Sequence, residues 1–159
     1  MIDGGNAWDA ATAIERCRRF APYRIFWLEE PLAPTDLAGY ATLTAAVETR
    51  IAAGELFSTL GELSALIEVG KVGVVQVDIS RVGLSQAMRV AAIARRHGVP
   101  CVNHTYTLDL NLAASLHFVA AIPDTSLFEV QATPNELRDA IARNPPRPAG
   151  GRLDRKSVV

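Results

Sequence analysis

The sequence contains little cysteine and no strong excess of charge of either sign. Its 159 residues include two cysteines, Cys17 and Cys101, which lie far apart in the chain. So few cysteines exclude the disulfide framework of a small secreted domain and favour reduced thiols in a cytoplasmic protein. The formal net charge of −1 provides no broad basic surface for nucleic acid or anionic lipid. No apolar run reaches the roughly 18 residues of a membrane span. We therefore expect neither a nucleic-acid nor a membrane partner.

Both ends of the chain carry features that bear on domain organisation. Met1 leads directly into Ile2 and Asp3, so no signal peptide is expected. The last six residues, 154–159 (DRKSVV), do not continue the preceding pattern and match the translation of a common sequencing-adapter read. We interpret residues 154–159 as a non-native tail, and residues 1–153 as one truncated domain.

Strand-length apolar segments alternate with segments of helical periodicity along the chain. The predicted strands are the nearly continuous apolar runs at 25–28, 51–53, 74–77, 99–102 and 127–128. Such runs are typical of the strands of a parallel sheet covered by helices. The alternation predicts β/α units joined by short connections.

Local sequence patterns mark where the intervening helices begin and end. Asp9 is a plausible N-cap for the first helix, and Thr59 with Glu62 has the spacing of a capping box. Another helix is predicted to end at residues 95–98 (RRHG), where basic residues precede a glycine. Leu112, Leu116 and Val119 form the apolar stripe of the last clear helix.

A polar, ionisable residue follows or ends each predicted strand. These residues are Asp3, Glu29, Glu55, Asp78, His104 and Glu129. They recur 23 to 26 residues apart in the numbering, which is close to the length of one unit of a β/α barrel. Strand ends in a barrel converge over one mouth, whereas in an open doubly wound sheet they spread along a line. We therefore predict an α/β fold, a partial TIM-type barrel comprising roughly strands 3 to 8 of eight.

Three of these residues, Asp3, Glu29 and Glu55, are candidate metal ligands. Carboxylates brought close together repel one another, and burying them unpaired is unfavourable. A divalent cation removes this repulsion, and an all-oxygen set without Cys or His favours Mg²⁺, with Mn²⁺ as the alternative. The structural alternative is that each carboxylate pairs with a neighbouring Lys or Arg.

Asp78 and His104 end adjacent predicted strands and form a candidate acid–base pair. An aspartate that accepts the imidazole N–H fixes the tautomer and raises the basicity of the ring. His104 could then act as a general base or acid near neutral pH, unless it is a structural histidine. His97 in a helix C-terminal turn and His117 within a helix are expected to be structural.

Other polar residues near the strand ends carry weaker indications. Glu129 could hydrogen-bond a substrate oxygen or donate a proton, or it could form a salt bridge that stabilises the barrel. Glu30 should point away from Glu29 if its strand continues. Arg81 and Asn103 are weakly supported candidates for site residues in the loops that follow the strands.

Six ordered segments together resemble the barrel domain of the enolase superfamily. They are IDGGNAW, FWLEEPL, AAGE, VQVDISRVG, VNHTYT and LFEVQ. The resemblance is to the mandelate racemase/muconate lactonizing enzyme family, and within it to the mandelate racemase-like group that includes acid-sugar dehydratases. The muconate lactonizing branch would have a lysine where this sequence has Asp78.

The resemblance implies an activity and a role for each candidate residue. It implies Mg²⁺-dependent removal of the proton α to a carboxylate through an enediolate, with dehydration of a sugar acid favoured over racemisation or epimerisation. The metal ligands would be Asp3, Glu29 and Glu55. The catalytic residues would be His104, Asp78 and Glu129. The expected partner is a small carboxylate substrate, and the parent enzyme is expected to be a cytoplasmic homo-oligomer.

Three departures from the family pattern affect this expectation. Asn6 stands one place later than usual after Asp3, and a single glycine, Gly83, replaces the usual pair before the sixth helix. The catalytic lysine of the second strand and the N-terminal capping domain do not occur in this sequence. An inactive truncated fragment, or a metal-independent barrel with structural acids, therefore remain alternatives.

Overall fold

A computed structural model gives the architecture of residues 1–123, 127–141 and 143–153. Parallel strands alternate with helices. The strands are β1 (Ile2–Asp3), β2 (Trp27–Glu29), β3 (Arg50–Ala53), β4 (Val74–Asp78) and β5 (Cys101–His104). The helices are α1 (Ala10–Phe20), α2 (Leu37–Ala46), α3 (Leu60–Glu68), α4 (Ile79–Arg96), α5 (Asp109–Ala121) and α6 (Glu136–Ile141), with a 3₁₀ turn at Ala21–Tyr23 after α1.

The order of the strands in the sheet is their order in the chain. Each strand pairs in parallel with the next, from β1 to β5. A doubly wound sheet would reverse direction at a switch point, whereas a barrel adds each unit on the same side. The structure therefore confirms the partial β/α barrel.

Apolar side chains cover both faces of the sheet. The larger cluster packs the sheet against the helices, and its strand members include Leu28, Ile51, Ala53, Val75, Val77 and Cys101. On the opposite face, Trp27, Ala52, Val74 and Val102 form a smaller buried cluster, with Leu127 packed against it. Two buried faces explain why the strands read as continuous apolar runs.

The predicted helix boundaries are present in the structure. Asp9 accepts a hydrogen bond from the Thr12 amide at 2.8 Å, and Thr59 with Glu62 forms a complete capping box. Helix α4 ends at the predicted basic turn, but Gly83 (φ 73°, ψ 157°) interrupts its helical backbone near the start. The single glycine thus produces a kink at the beginning of α4.

Of the five predicted strands, the one at Leu127–Phe128 is absent among the described residues, whereas β1 is present although no strand was predicted there. The Asn103 side chain is hydrogen-bonded to the backbone just after this segment. Its Nδ2 donates to the Glu129 carbonyl at 3.1 Å, and its Oδ1 accepts from the Glu129 amide at 3.0 Å. This segment is therefore held beside β5 by a side chain, which a strand pattern cannot predict.

Two further features complete the description of the fold. Cys17 and Cys101 are both buried free thiols, and burial raises the pKa of Cys101 to about 12. No helix in the described part of the chain is both long and apolar enough to cross a membrane. The tail predicted at 154–159 lies outside the described residues.

Candidate metal and acid–base site

The fold brings the predicted site residues to one edge of the sheet. Asp3, Glu29, Asp78 and His104 are the last residues of β1, β2, β4 and β5, and Glu55 lies two positions beyond β3. Asp3 is in register with Glu29, and Asp78 is in register with His104. This carboxyl edge of the strands is where the active sites of β/α barrels lie.

His104 lies between carboxylates on both sides of its ring. Its Nδ1 is 2.9 Å from Oδ2 of Asp78, which is the hydrogen bond expected from the sequence. Its Nε2 is 3.0 Å from Oε2 of Glu55 and 4.0 Å from Oε2 of Glu129. Because Nδ1 is engaged by Asp78, Nε2 is the nitrogen that faces the other site carboxylates.

The surroundings of Asp78 hold it as a carboxylate. The side chain is 2% exposed, and its Oδ1 accepts from the Ser80 amide at 2.8 Å, the Ser80 hydroxyl at 2.6 Å and Asn111 Nδ2 at 3.1 Å. Burial alone would raise its pKa, but hydrogen bonds from His104 and Ser80 bring the pKa of Asp78 below its ordinary value. Asp78 is therefore a permanent acceptor for the imidazole.

The charges at this edge also shift the pKa values of neighbouring groups. Burial lowers the pKa of His104, but the hydrogen bond to Asp78 and the charges of Glu55 and Glu129 outweigh it, so the net shift is upward. Burial raises the pKa of Glu55 to about 7 and that of Glu129 above its usual value. Glu55 is therefore suited to exchanging a proton near neutral pH, beside an imidazole whose pKa its charge helps to raise.

Among the described residues, the carboxylates of Asp3 and Glu29 accept hydrogen bonds from neutral donors. Asp3 Oδ1 accepts from the Gly5 amide at 2.8 Å, and Glu29 Oε2 accepts from Trp27 Nε1 at 3.0 Å. No ion pair joins Asp3, Glu29 or Glu55 to a Lys or Arg among the described residues. The alternative of carboxylates paired with basic side chains is not what the described structure contains.

Glu30 adds a further negative charge that the sequence did not assign to the site. Strand β2 ends at Glu29, so the alternation that would turn Glu30 away no longer applies. Glu30 has φ 35°, is 3% exposed, and accepts from Asn6 Nδ2 at 2.8 Å. Burial raises its pKa, and its charge contributes to the raised pKa of Glu55. Asn6, which stands one place later than in the family pattern, therefore binds the carboxylate of Glu30.

The other weakly indicated residues differ in their positions. Glu129 Oε2 accepts from the Thr105 amide at 2.6 Å, next to His104. Asn103 is 1% exposed and holds the Glu129 backbone, so it places Glu129 beside His104. Arg81 is exposed on α4 and has no contact with the site residues among the described interactions.

The residues at this edge fit a divalent cation by their chemistry. Among residues 1–123, 127–141 and 143–153, no three His, Cys, Asp or Glu side chains already form a metal-binding group. The edge nonetheless carries carboxylates whose mutual repulsion contributes to the raised pKa of Glu55. Hard oxygen donors with uncompensated negative charge are what Mg²⁺ prefers.

Comparisons with known proteins identify relatives of this chain. The family described as enolase C-terminal domain-like matches residues 1–157. The chain is 35% identical over 124 residues to the L-talarate/galactarate dehydratase of Salmonella typhimurium, a match that covers 77% of the chain and 30% of that enzyme.

Two solved structures show the same likeness in three dimensions. The 3,6-anhydro-D-galactonate cycloisomerase of Zobellia galactanivorans matches with a TM-score of 0.90 and 30% identity, over 97% of this chain and 44% of that one. A racemase from Streptomyces coelicolor with bound magnesium matches with a TM-score of 0.72 and 28% identity, over 77% and 33%. The chain spans less than half the length of each of these relatives.

Proposed function

The chain belongs to the enolase C-terminal domain-like family, and from this premise we propose that it carries the metal-binding and acid–base part of an enolase-type active site. The proposed reaction of the whole protein is Mg²⁺-dependent dehydration of a sugar acid through an enediolate. The observation that supports it most directly is the Asp78–His104 pair, joined at 2.9 Å beside the carboxylates at the strand ends. The dehydratase among the relatives favours a sugar acid as substrate.

We assign the proposed metal site to Asp3, Glu29 and Glu55, with Mn²⁺ as the alternative to Mg²⁺. Their support is the shared strand edge, the lack of basic partners among the described residues, and the magnesium in one structural relative. When bound, the cation would offset the negative charge that develops on the carboxylate oxygens of the substrate.

Each acid–base residue then has a defined task. Nε2 of His104 takes the proton from the carbon α to the substrate carboxylate, and the electron pair of that C–H bond forms the enediolate. Asp78 accepts the hydrogen bond of Nδ1 and stabilises the charged ring. The β-hydroxyl then leaves as water, with a proton from His104 or Glu129, and the resulting enol becomes a 2-keto acid.

This proposal is tested with acid sugars supplied to the whole protein in D₂O with Mg²⁺. We expect a 2-keto acid product that depends on the metal. Deuterium at the α-carbon without loss of a hydroxyl would instead identify a racemase or epimerase, and ring opening of a lactone or anhydro-sugar acid without loss of water, with one solvent deuterium taken up at C3, would identify a cycloisomerase. Absence of both exchange and product across the panel would contradict an enolase-type reaction.

Magnesium is expected to raise the thermal stability of the 159-residue chain. Ligand that binds only the folded state stabilises by mass action, by about 2.7 kcal/mol at 100 times Kd, or roughly 5–10 °C in Tm. Glu55→Gln should abolish this increase. Glu48→Gln, an exposed position in the loop before β3, is the matched control and should keep it. Differential scanning calorimetry with and without Mg²⁺ measures both, and an equal response of the two variants would exclude Glu55 as a ligand.

A further inference from the structure

Asn111, in the first turn of α5, makes a buried contact with the acid–base pair. Its Nδ2 donates to Asp78 Oδ1 at 3.1 Å, and the two residues are 33 positions apart in the sequence. Asn111 is 8% exposed, and its own Oδ1 is buried without a hydrogen-bond partner in the described structure. The contact with Asp78 is therefore the one hydrogen bond recorded for this side chain among the described residues.

Asn111 differs from the other donors to Asp78 Oδ1 because it lies on a separate helix. The other two donors to Oδ1 belong to Ser80, which lies two residues from Asp78 at the same strand–helix junction. They move with Asp78 when the junction moves. Asn111 donates from a separate helix, so it fixes the plane of the carboxylate relative to β5 and His104. With Oδ1 held in this way, Oδ2 stays directed at the imidazole Nδ1.

The unpaired oxygen of Asn111 argues against a role in stability. A buried carbonyl oxygen without a donor loses its water and gains nothing in return, which offsets the benefit of the Nδ2 hydrogen bond. A leucine of similar size would remove both the contact and the unpaired group. Because Oδ1 of Asp78 keeps both donors from Ser80, the expected loss of stability is small.

We propose that Asn111 is a positioning residue, which acts on the reaction only by fixing the Asp78 carboxylate against His104. The kinetic part of this inference rests on the proposed function. The part that concerns the resting geometry does not, because it refers only to contacts within the folded chain.

The chain offers a matched control one helical turn further along α5. Ser115 is fully buried, and its hydroxyl, like Asn111 Oδ1, lacks a hydrogen-bond partner among the described residues. It makes no recorded contact with Asp78. Ser115→Ala therefore removes a buried polar group from the same helix and leaves the acid–base pair intact.

The test measures the ¹⁵N shifts of His104 Nδ1 and Nε2 at one fixed pH, detected through the carbon-bound ring protons. In the 159-residue chain, Asn111→Leu should shift and broaden the Nδ1 signal, whereas Ser115→Ala should match the wild type. The Tm of Asn111→Leu should not fall below that of Ser115→Ala.

In the whole protein, Asn111→Leu should lower kcat about 10-fold, as expected for one lost hydrogen bond to a charged group, with KM nearly unchanged. Asn111→Gln, which keeps the amide donor, should recover part of kcat.

Two results would overturn this inference. An Asn111→Leu variant with wild-type His104 ring shifts would show that Asp78 does not need Asn111. A variant with a lower Tm and unchanged ring shifts would show a purely structural role. If instead the ring shifts change but His104→Asn leaves the activity intact, the proposed function fails while the positioning contact stands.

Discussion

His104→Asn is expected to abolish the metal-dependent reaction while leaving the fold intact. Asparagine can still contact Asp78 but cannot accept a proton at the position of Nε2. General acid–base catalysis typically contributes about 10²–10⁴-fold in rate, and kcat should fall by about this factor. KM should change little because the carboxylates of the proposed metal site remain.

The control for this variant is the same substitution at another histidine. His97 lies at the C-terminal end of α4, and its half-exposed side chain is 3.5 Å from Glu68. His97→Asn should retain wild-type kcat, and circular dichroism should show the same helical content for both variants. Wild-type turnover by a folded His104→Asn protein would refute the role of His104 as base.

Much of the fold and site follows from signals that are local in the sequence. The recurrence of one ionisable residue per unit predicts the edge where Asp3, Glu29, Asp78 and His104 lie, because parallel strands all end on the same side. The helix caps at Asp9 and Thr59 were also predictable, because their signals are local in the sequence. Each requires only residues within one turn of the helix.

Features that depend on contacts between distant segments could not be predicted in this way. The Asn111–Asp78 hydrogen bond joins a helix to a strand, and nothing in the spacing of the two residues indicates it. The two hydrogen bonds between the Asn103 side chain and the Glu129 backbone likewise join segments that are 26 residues apart. The prediction for Glu30 applied only if its strand continued, and β2 ends one residue earlier, at Glu29.

The sequence and the structure also contribute different evidence about the metal site. Three carboxylates at successive strand ends indicate a cation by charge alone. In the structure, Oε2 of Glu55 lies 3.0 Å from Nε2 of His104. The carboxylate of Glu55 is therefore both a proposed metal ligand and a partner of the imidazole. A cation that engages Glu55 would compete with the imidazole for the same oxygen. This competition makes the Mg²⁺ response of Glu55→Gln the most direct test of the proposed ligand set.

Gly54→Ala is expected to cause the largest loss of stability among single substitutions near the site. Gly54 joins β3 to Glu55 and has φ 138°, a conformation that residues with a side chain rarely adopt. An alanine Cβ would overlap the backbone carbonyl of Gln76 in β4 and press on Leu63. Backbone strain and overpacking together should cost about 2–5 kcal/mol, measurable by urea unfolding.

Gly61→Ala provides the matched control, because it makes the same chemical change in the next helix. Gly61 lies exposed in the first turn of α3, and a Cβ there meets nothing within 4 Å. Alanine favours a helix over glycine, so this variant should be unchanged or more stable by up to about 1 kcal/mol. Equal stability of the two alanine variants would contradict the close approach of β3 and β4 at Gly54. The expected contrast has a consequence for the site: an alanine side chain at residue 54 would push the backbone away from β4 and displace the adjacent Glu55, so a folded Gly54→Ala protein should also lose its Mg²⁺ response.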